Sequence, residues 1–97
     1  MPKPRDAVVN GEWPNGKIDE PVAAWYAAHI AKAVLAAVEA QGFNLNEASR
    51  RCGIDRETLV RVIEGETYPD LVTISALEMG LGARLWPEGP VRSSPRK

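Results

Sequence analysis

In the middle of the chain, four side chains that are acidic, apolar or basic recur at helical spacing, and an arginine precedes them. Glu57, Val60, Arg61 and Glu64 stand at positions i, i+3, i+4 and i+7, with Arg56 just before them. In an α-helix this spacing places the four on one face. A guanidinium can fork onto guanine, a carboxylate can accept from cytosine N4, and an apolar group can touch a thymine methyl. The pattern therefore suits a surface that reads DNA bases; a solvated face of a small helical bundle is the alternative.

The elements that would hold this face are two short helices and a tight turn. Asn44 is the predicted cap of the first helix, and Glu47 can reach back to that cap. Gly53 is placed to end it, because glycine adopts positive φ at helix ends. Asp55 is the predicted cap of the second helix, which runs from about residue 56 to 64 and stops at Gly65. Two helices this short cannot bury their faces alone, so they form a helix-turn-helix unit that packs on other helices.

Apolar periodicity predicts a longer helix on each side of this unit. The first begins at Asp19-Glu20-Pro21 and ends at Gln41, before Gly42. Its predicted apolar stripe consists of Trp25, Tyr26, Ile30, Val34, Leu35 and Val38. The last helix begins at a cap, Asp70, and its predicted inner face consists of Leu71, Ile74, Leu77 and Leu81. Trp86 follows as a predicted core plug. The inner face of the helix-turn-helix unit is assigned to Ala48, Ser49, Cys52, Leu59, Val62 and Ile63.

Length and charge suit one compact domain but not a strongly basic protein. The chain has 97 residues, 44% of them hydrophobic and 26% charged, with a formal net charge of −1 and a pI of about 5.8. Binding to phosphates needs lysine and arginine, so the overall charge argues mildly against nucleic acid. The unit nevertheless contains Arg50, Arg51, Arg56 and Arg61, interleaved with carboxylates. We therefore expect modest affinity for random DNA and a larger share of specific contacts.

Residue types that carry catalysis or bind metals are scarce. Cys52 is the single cysteine, which excludes an internal disulfide and suggests a small core residue. His29 is the single histidine and has no companion at metal-ligand spacing. We expect neither an enzyme nor a bound cofactor or metal. No apolar run looks long enough to cross a membrane, and no signal peptide is evident, so we expect a cytoplasmic protein.

The two ends of the chain have a different composition from its centre. Residues 1–19 contain prolines and two Asn-Gly pairs, which favour either a disordered arm or a small hairpin turning at Asn10-Gly11. In the hairpin, Trp13 would be a docking anchor; in an arm, Lys3 and Arg5 could reach phosphate. Residues 87–97 are predicted to be a flexible basic tail. The predicted globular domain is therefore 20–86.

The stretch from residue 43 to 86 resembles the Cro/C1-type helix-turn-helix family, also called lambda repressor-like or XRE-type. The matching positions are Ser49, Gly53, Ile54, Leu59, Ile63, Gly65, Pro69, Ile74, Leu77 and Leu81. Leu45 departs from the pattern, since many relatives have a phosphate-binding glutamine there. The resemblance implies an all-α, compact bundle of four to five helices, with a flexible N-terminal segment and C-terminal tail. In such a fold, the N-terminal part of the second helix of the unit enters the major groove.

The function implied by this resemblance is that of a temperate-phage immunity repressor or Cro-like protein in a bacterial host cell. Its partner would be a double-stranded DNA operator. The expected base-reading residues are Arg56, Glu57, Val60 and Arg61, and the expected backbone contacts are Asn44, Asn46, Arg50, Thr67 and Tyr68. Similar repressors pair on palindromes, so a weak homodimer is expected, with Trp25, Tyr26 and Trp86 as possible contacts. The alternative is a protein-interaction module, such as an antitoxin, that masks a partner protein.

Overall fold

Four α-helices and a small two-stranded sheet make up the part of the chain that the structure describes. The computed structural model describes residues 2–88. A 3-10 turn, Pro4–Ala7, leads into β1 (Val8–Asn10) and β2 (Lys17–Ile18), followed by α1 (Val22–Ala40), α2 (Leu45–Cys52), α3 (Arg56–Ile63) and α4 (Leu71–Leu81). The helical bundle agrees with the prediction, and the sheet is an addition to the expected all-α class. Most of the predicted tail, from residue 89 onward, lies outside the described residues.

The long helix α1 is the scaffold of the bundle. Its buried residues are Ala24, Ala27, Ala28, Ile30, Ala31, Val34 and Val38. Leu35, which was predicted to belong to this stripe, is 38% exposed. By length and mean hydropathy (19 residues, 1.2) α1 also matches a membrane span, contrary to our sequence-based prediction. The core helix of a globular domain passes the same test.

One core joins α1, the helix-turn-helix unit and α4. Its buried members are Ile30, Val34, Val38, Ala48, Cys52, Leu59, Val62, Ile74, Leu77, Leu81 and Leu85. Leu59 and Leu77 have no exposed surface. Each such side chain contributes roughly 1.5–3 kcal/mol by leaving water. The second half of α1 therefore packs in the same core as α2, α3 and α4.

The predicted cap of α2 at Asn44 and the glycine turn after α2 are confirmed, whereas the predicted side-chain cap of α3 is not. The N–H of Glu47 donates to Asn44 Oδ1 at 2.8 Å, which caps α2. Gly53 follows α2 in the left-handed region with φ 69°, and Ile54 N donates to Ser49 O at 3.2 Å. Asp55 occupies the cap position of α3, but its side chain makes no capping hydrogen bond there. The direction of α3 is therefore set by the glycine turn and by core packing.

The last helix confirms its cap but corrects two packing assignments. Thr73 N donates to Asp70 Oδ1 at 2.7 Å, and this bond lowers the pKa of the Asp70 carboxyl. Leu71, assigned to the inner face, is 75% exposed. Trp86, assigned as the core plug, is 49% exposed, and Leu85 is buried in its place. The Glu78 carboxylate accepts hydrogen bonds from the N–H groups of both Leu85 and Trp86, at 3.0 and 3.3 Å, and so fixes which side chain faces inward.

Helices α2 and α4 pack in close contact at one glycine. A Cβ atom on Gly80 would lie 2.6 Å from both Cα and Sγ of Cys52. The glycine therefore permits an approach that alanine would block. Cys52 is buried, as predicted, and burial raises the pKa of its thiol.

The N-terminal segment is folded against the bundle, so the expectation of a flexible segment is wrong for its described part. A hairpin forms, but not around a two-residue turn at Asn10-Gly11. Val8 pairs with Ile18 and Asn10 with Lys17, with a bulge between, and residues 11–16 form the connecting loop. Ile18 packs with Ala24 and Ala28 of α1 in a second, smaller core. The first half of α1 is therefore covered in part by the N-terminal segment.

Candidate nucleic-acid interface

The outer face of α3 brings together the predicted base-reading residues. Arg56, Glu57 and Arg61 are exposed and Val60 is half-buried, whereas Leu59 and Val62 face the core. Arg61 Nη2 lies 2.9 Å from Glu57 Oε2, an i, i+4 ion pair whose side chains are 50% and 73% exposed. Such a pair contributes little to stability, because water screens it. It does hold the guanidinium and the carboxylate of this face against each other.

A second group of charges lies on α2. The Glu47 carboxylate pairs with Arg50 and with Arg51, whose Nε lies 2.9 Å from Glu47 Oε2. The Glu47 carboxylate was predicted to reach back to the helix cap at Asn44, but it forms these ion pairs instead. The Arg51 guanidinium also lies 4.5 Å from the centre of the Phe43 ring. Both arginines remain more than half exposed.

The pairing pattern gives the helix-turn-helix unit a nearly neutral surface. Arg50, Arg51 and Arg61 each have a carboxylate partner, while within residues 2–88 Arg56 makes no ion pair. A phosphate or a base must therefore compete with a carboxylate for three of these four cations. This arrangement favours DNA sequences whose bases can form well-oriented hydrogen bonds with the arginines over non-specific contacts with phosphates.

Four of the five residues predicted to contact the DNA backbone are exposed, and one is half-buried. Asn46 is exposed in the first turn of α2, and Thr67 is exposed in the loop between α3 and α4. Asn44 is exposed but its Oδ1 is used by the cap, and Arg50 is exposed beside Glu47. Tyr68 is half-buried and packs on the second core. Among the five, Tyr68 is therefore the residue whose ring packs against a core cluster.

The N-terminal segment holds the end of α3. This contact was not predicted from the sequence. Trp13 Nε1 donates to Ile63 O at 2.8 Å, and Arg5 N donates to Gly65 O at 3.1 Å. Arg5 Nη1 also lies 3.5 Å from Glu66 Oε2. A Cβ atom on Gly65 would lie 2.5 Å from the Trp13 indole, so the absence of a side chain allows the ring to pack there. Gly65 also has a positive φ of 71°, which favours glycine. Trp13 is therefore the docking anchor, and Arg5 is engaged with the protein.

The aromatic residues assigned to a possible dimer contact form one cluster. The ring centres of Trp25 and Tyr26 lie 5.3 Å apart, edge to face, and those of Tyr26 and Trp86 lie 5.4 Å apart, stacked. His29 lies 3.7 Å from Trp25 by the same measure. Burial, and secondarily Lys32, lowers the pKa of His29. Each partner of Trp86 in this cluster is on α1, so the cluster fixes the chain after α4 to the scaffold.

Residues 2–88 contain no group of three or more histidine, cysteine or carboxylate side chains that could hold a metal ion. The exposed polar side chains of α2 and α3 carry guanidinium, carboxylate and amide groups. Comparison of the chain with protein-family models, with curated proteins and with solved structures gives no match.

Proposed function

We propose that the protein is a sequence-specific DNA-binding repressor with a lambda repressor-like fold. The observation that carries the proposal is the outer face of α3. It presents Arg56, Glu57, Val60 and Arg61 together, on a short helix that follows a tight glycine turn and is backed by a buried face. This is the combination of rigidity and base-edge chemistry that major-groove reading requires.

In the proposed mechanism, α3 lies in the major groove with its N-terminal half toward the bases. The first N–H groups of α2, around Asn46, have no intrahelical acceptor and suit a phosphate. Arg61 exchanges its contact with Glu57 for a base, and Glu57 then becomes available to a cytosine amino group. The bound protein blocks polymerase sterically. No cofactor, metal or catalytic step enters this mechanism.

Substitutions on α3 test the proposal directly. Arg56→Ala and Arg61→Ala should each weaken binding to the selected operator by roughly 1–3 kcal/mol, as expected for a lost bidentate contact. Arg84→Ala is the matched control, because Arg84 also forms an exposed i, i+4 pair, at 3.3 Å with Glu88, but lies beyond α4. The operator is first obtained by selection from random duplexes. Full affinity of the Arg56, Arg61 double variant would refute the assignment.

Glu57→Gln gives a test that separates base reading from charge. Removing the carboxylate frees Arg61 for phosphate, so binding to random duplex should strengthen. If Glu57 reads a cytosine, binding to the operator should weaken at the same time. Both affinities are measured against salt concentration, since the slope reports the number of phosphate contacts. A parallel change in both affinities would exclude a base-reading role for Glu57.

A protein-interaction module, antitoxin-like, is the second candidate function. The pairing of Arg50, Arg51 and Arg61 with carboxylates and the net charge of −1 favour it. The exposed aromatic cluster around Trp86 would then supply the contact surface. No detectable binding to random or selected duplex at low salt would favour this candidate over the repressor.

For assembly, we propose that two copies pair on an operator rather than in free solution. An isologous contact through Trp25, Tyr26 and Trp86 would be small, which limits its affinity. Sedimentation of the free protein and of its operator complex measures this. A tight dimer that survives substitution of these aromatics would place the interface elsewhere.

A further inference from the structure

An apolar groove of about 840 Å³ lies away from the outer face of α3, between the first half of α1 and the start of α4. Its base includes Ala27, Ile30 and Ile74, all of which are buried. Stacked Tyr26 and Trp86 contribute to one part of its wall and Tyr68 to another. The groove is thus an open trough lined by three aromatic rings.

The charged residues at the groove are mostly acidic. Asp6 and Glu20 both line it and are both exposed, against a single cation, Lys3. Aromatic troughs of this kind recognise extended proline-containing segments, because such segments are already stiff and lose little entropy on binding. The carboxylates would select a segment that also carries arginine or lysine.

A segment with this composition follows Trp86 in the same chain. Residues 89–97 read GPVRSSPRK: they contain two prolines, one valine and three cations, and no aspartate or glutamate. The described chain ends at Glu88, two residues beyond a residue that lines the groove. In an extended polyproline conformation nine residues span about 28 Å. That length exceeds the two shorter extents of the molecule, 24 and 23 Å, so the segment can cross the groove from end to end.

We propose that residues 89–97 occupy this groove, with Pro90, Val91 and Pro95 against the aromatic rings and Arg92 and Arg96 at the carboxylates of Asp6 and Glu20. The attachment at Trp86 makes the binding intramolecular. The effective concentration of a short tether is in the millimolar range, so a contact too weak to hold a free peptide suffices. The proposal is independent of DNA binding.

Occupancy of the groove has a consequence for assembly. The segment would cover Tyr26 and Trp86, which are also the candidate dimer contacts. Self-association through these rings then requires that the segment leave. The free protein is accordingly monomeric, and a second copy competes with the protein's own C-terminal segment for one surface.

The 97-residue chain, labelled with 15N, tests the proposal by NMR. We expect the amides of Val91, Arg92 and Arg96 to show heteronuclear NOE values close to those of α4. Arg92→Glu with Arg96→Glu should drive these values toward zero and shift the Trp86 indole N–H resonance. Asp6→Lys with Glu20→Lys should do the same, and combining both pairs should restore the wild-type values. Glu12→Lys with Glu39→Lys is the control, since these exposed carboxylates do not line the groove.

Three results would overturn the proposal. Low NOE values for the segment in the wild type, with a Trp86 indole resonance unaffected by either charge-reversed pair, would show that the groove is not occupied by it. Spectra that change with protein concentration between about 20 and about 500 μM would assign the groove to a second copy, given the weak affinity expected of a small interface. Failure of the combined variant to recover would show that the charges do not pair across the groove.

Discussion

Replacing Trp13 should release the N-terminal segment from the end of α3. The indole donates to Ile63 O at 2.8 Å and packs on Gly65. Truncating a fully buried tryptophan to alanine costs about 3–5 kcal/mol, and the half-buried ring of Trp13 should account for about 2 kcal/mol of that. The lost hydrogen bond adds about 1 kcal/mol. We therefore expect Trp13→Ala to lower the free energy of unfolding by about 3 kcal/mol, and Trp13→Phe, which mainly removes the donor, by about 1 kcal/mol.

Urea unfolding followed by circular dichroism measures both values. Val9→Ala is the control: Val9 lies on the same hairpin but is 63% exposed, so its substitution should change stability by less than about 0.5 kcal/mol. In Trp13→Ala, the rate of amide hydrogen exchange should increase more in β1 and β2 than in α1. The reasoning is refuted if Trp13→Ala and Val9→Ala have the same small effect, because the segment would then not be docked in solution.

Three further predictions concern a close contact and two titrations. Gly80→Ala should destabilise by about 1–3 kcal/mol through overlap with Cys52, although helix propensity alone predicts stabilisation; the sign of the change in a urea titration decides. The pKa of His29 is lowered from 6.5 by burial, so the unfolded chain binds the proton first and stability falls as the pH drops below that value; His29→Gln should remove this part of the pH dependence, and an unchanged profile would contradict it. The pKa of Asp70 is lowered from 3.8 by the Thr73 N–H, so the contribution of the Asp70 carboxylate to stability is present above that pH and is lost in more acidic solution; the stability difference between the wild type and Asp70→Asn should therefore shrink only in that acidic range.

Local signals in the sequence were sufficient for the helix-turn-helix unit. Asn44 and Gly53 in this unit, like Asp70 at the start of α4, each carry a chemical reason for one backbone conformation, and each lies where that reason placed it. The spacing of Leu59 and Val62 identified the buried side of α3 for the same reason, since a helix of known phase has only one inner face. The boundaries of α2 and α3 agree with the predictions to within one residue.

Features that depend on partners distant in the sequence could not be obtained in this way. The choice between Leu85 and Trp86 as the buried residue follows from hydrogen bonds to Glu78, and periodicity does not encode these bonds. The register of the hairpin follows from where Trp13 docks, 50 residues away from Ile63. Gly65 was interpreted as a helix stop, whereas it also allows the close approach of Trp13, and Gly80 allows the close approach of Cys52. A glycine has the same appearance in sequence in either role.

The distribution of charge links the proposed function to the acidic composition of the chain. A surface that binds DNA through bulk positive potential would leave its arginines unpaired, and its affinity would fall steeply with salt. In this protein Glu47 and Glu57 pair with Arg50, Arg51 and Arg61, so random DNA gains little from approaching α2 and α3. A cognate sequence can offer both guanine to Arg61 and cytosine to Glu57, and so replaces both partners of the broken ion pair. Under the proposed function, the same ion pairs that weaken non-specific binding become the source of discrimination, and a net charge of −1 is compatible with a DNA-reading role.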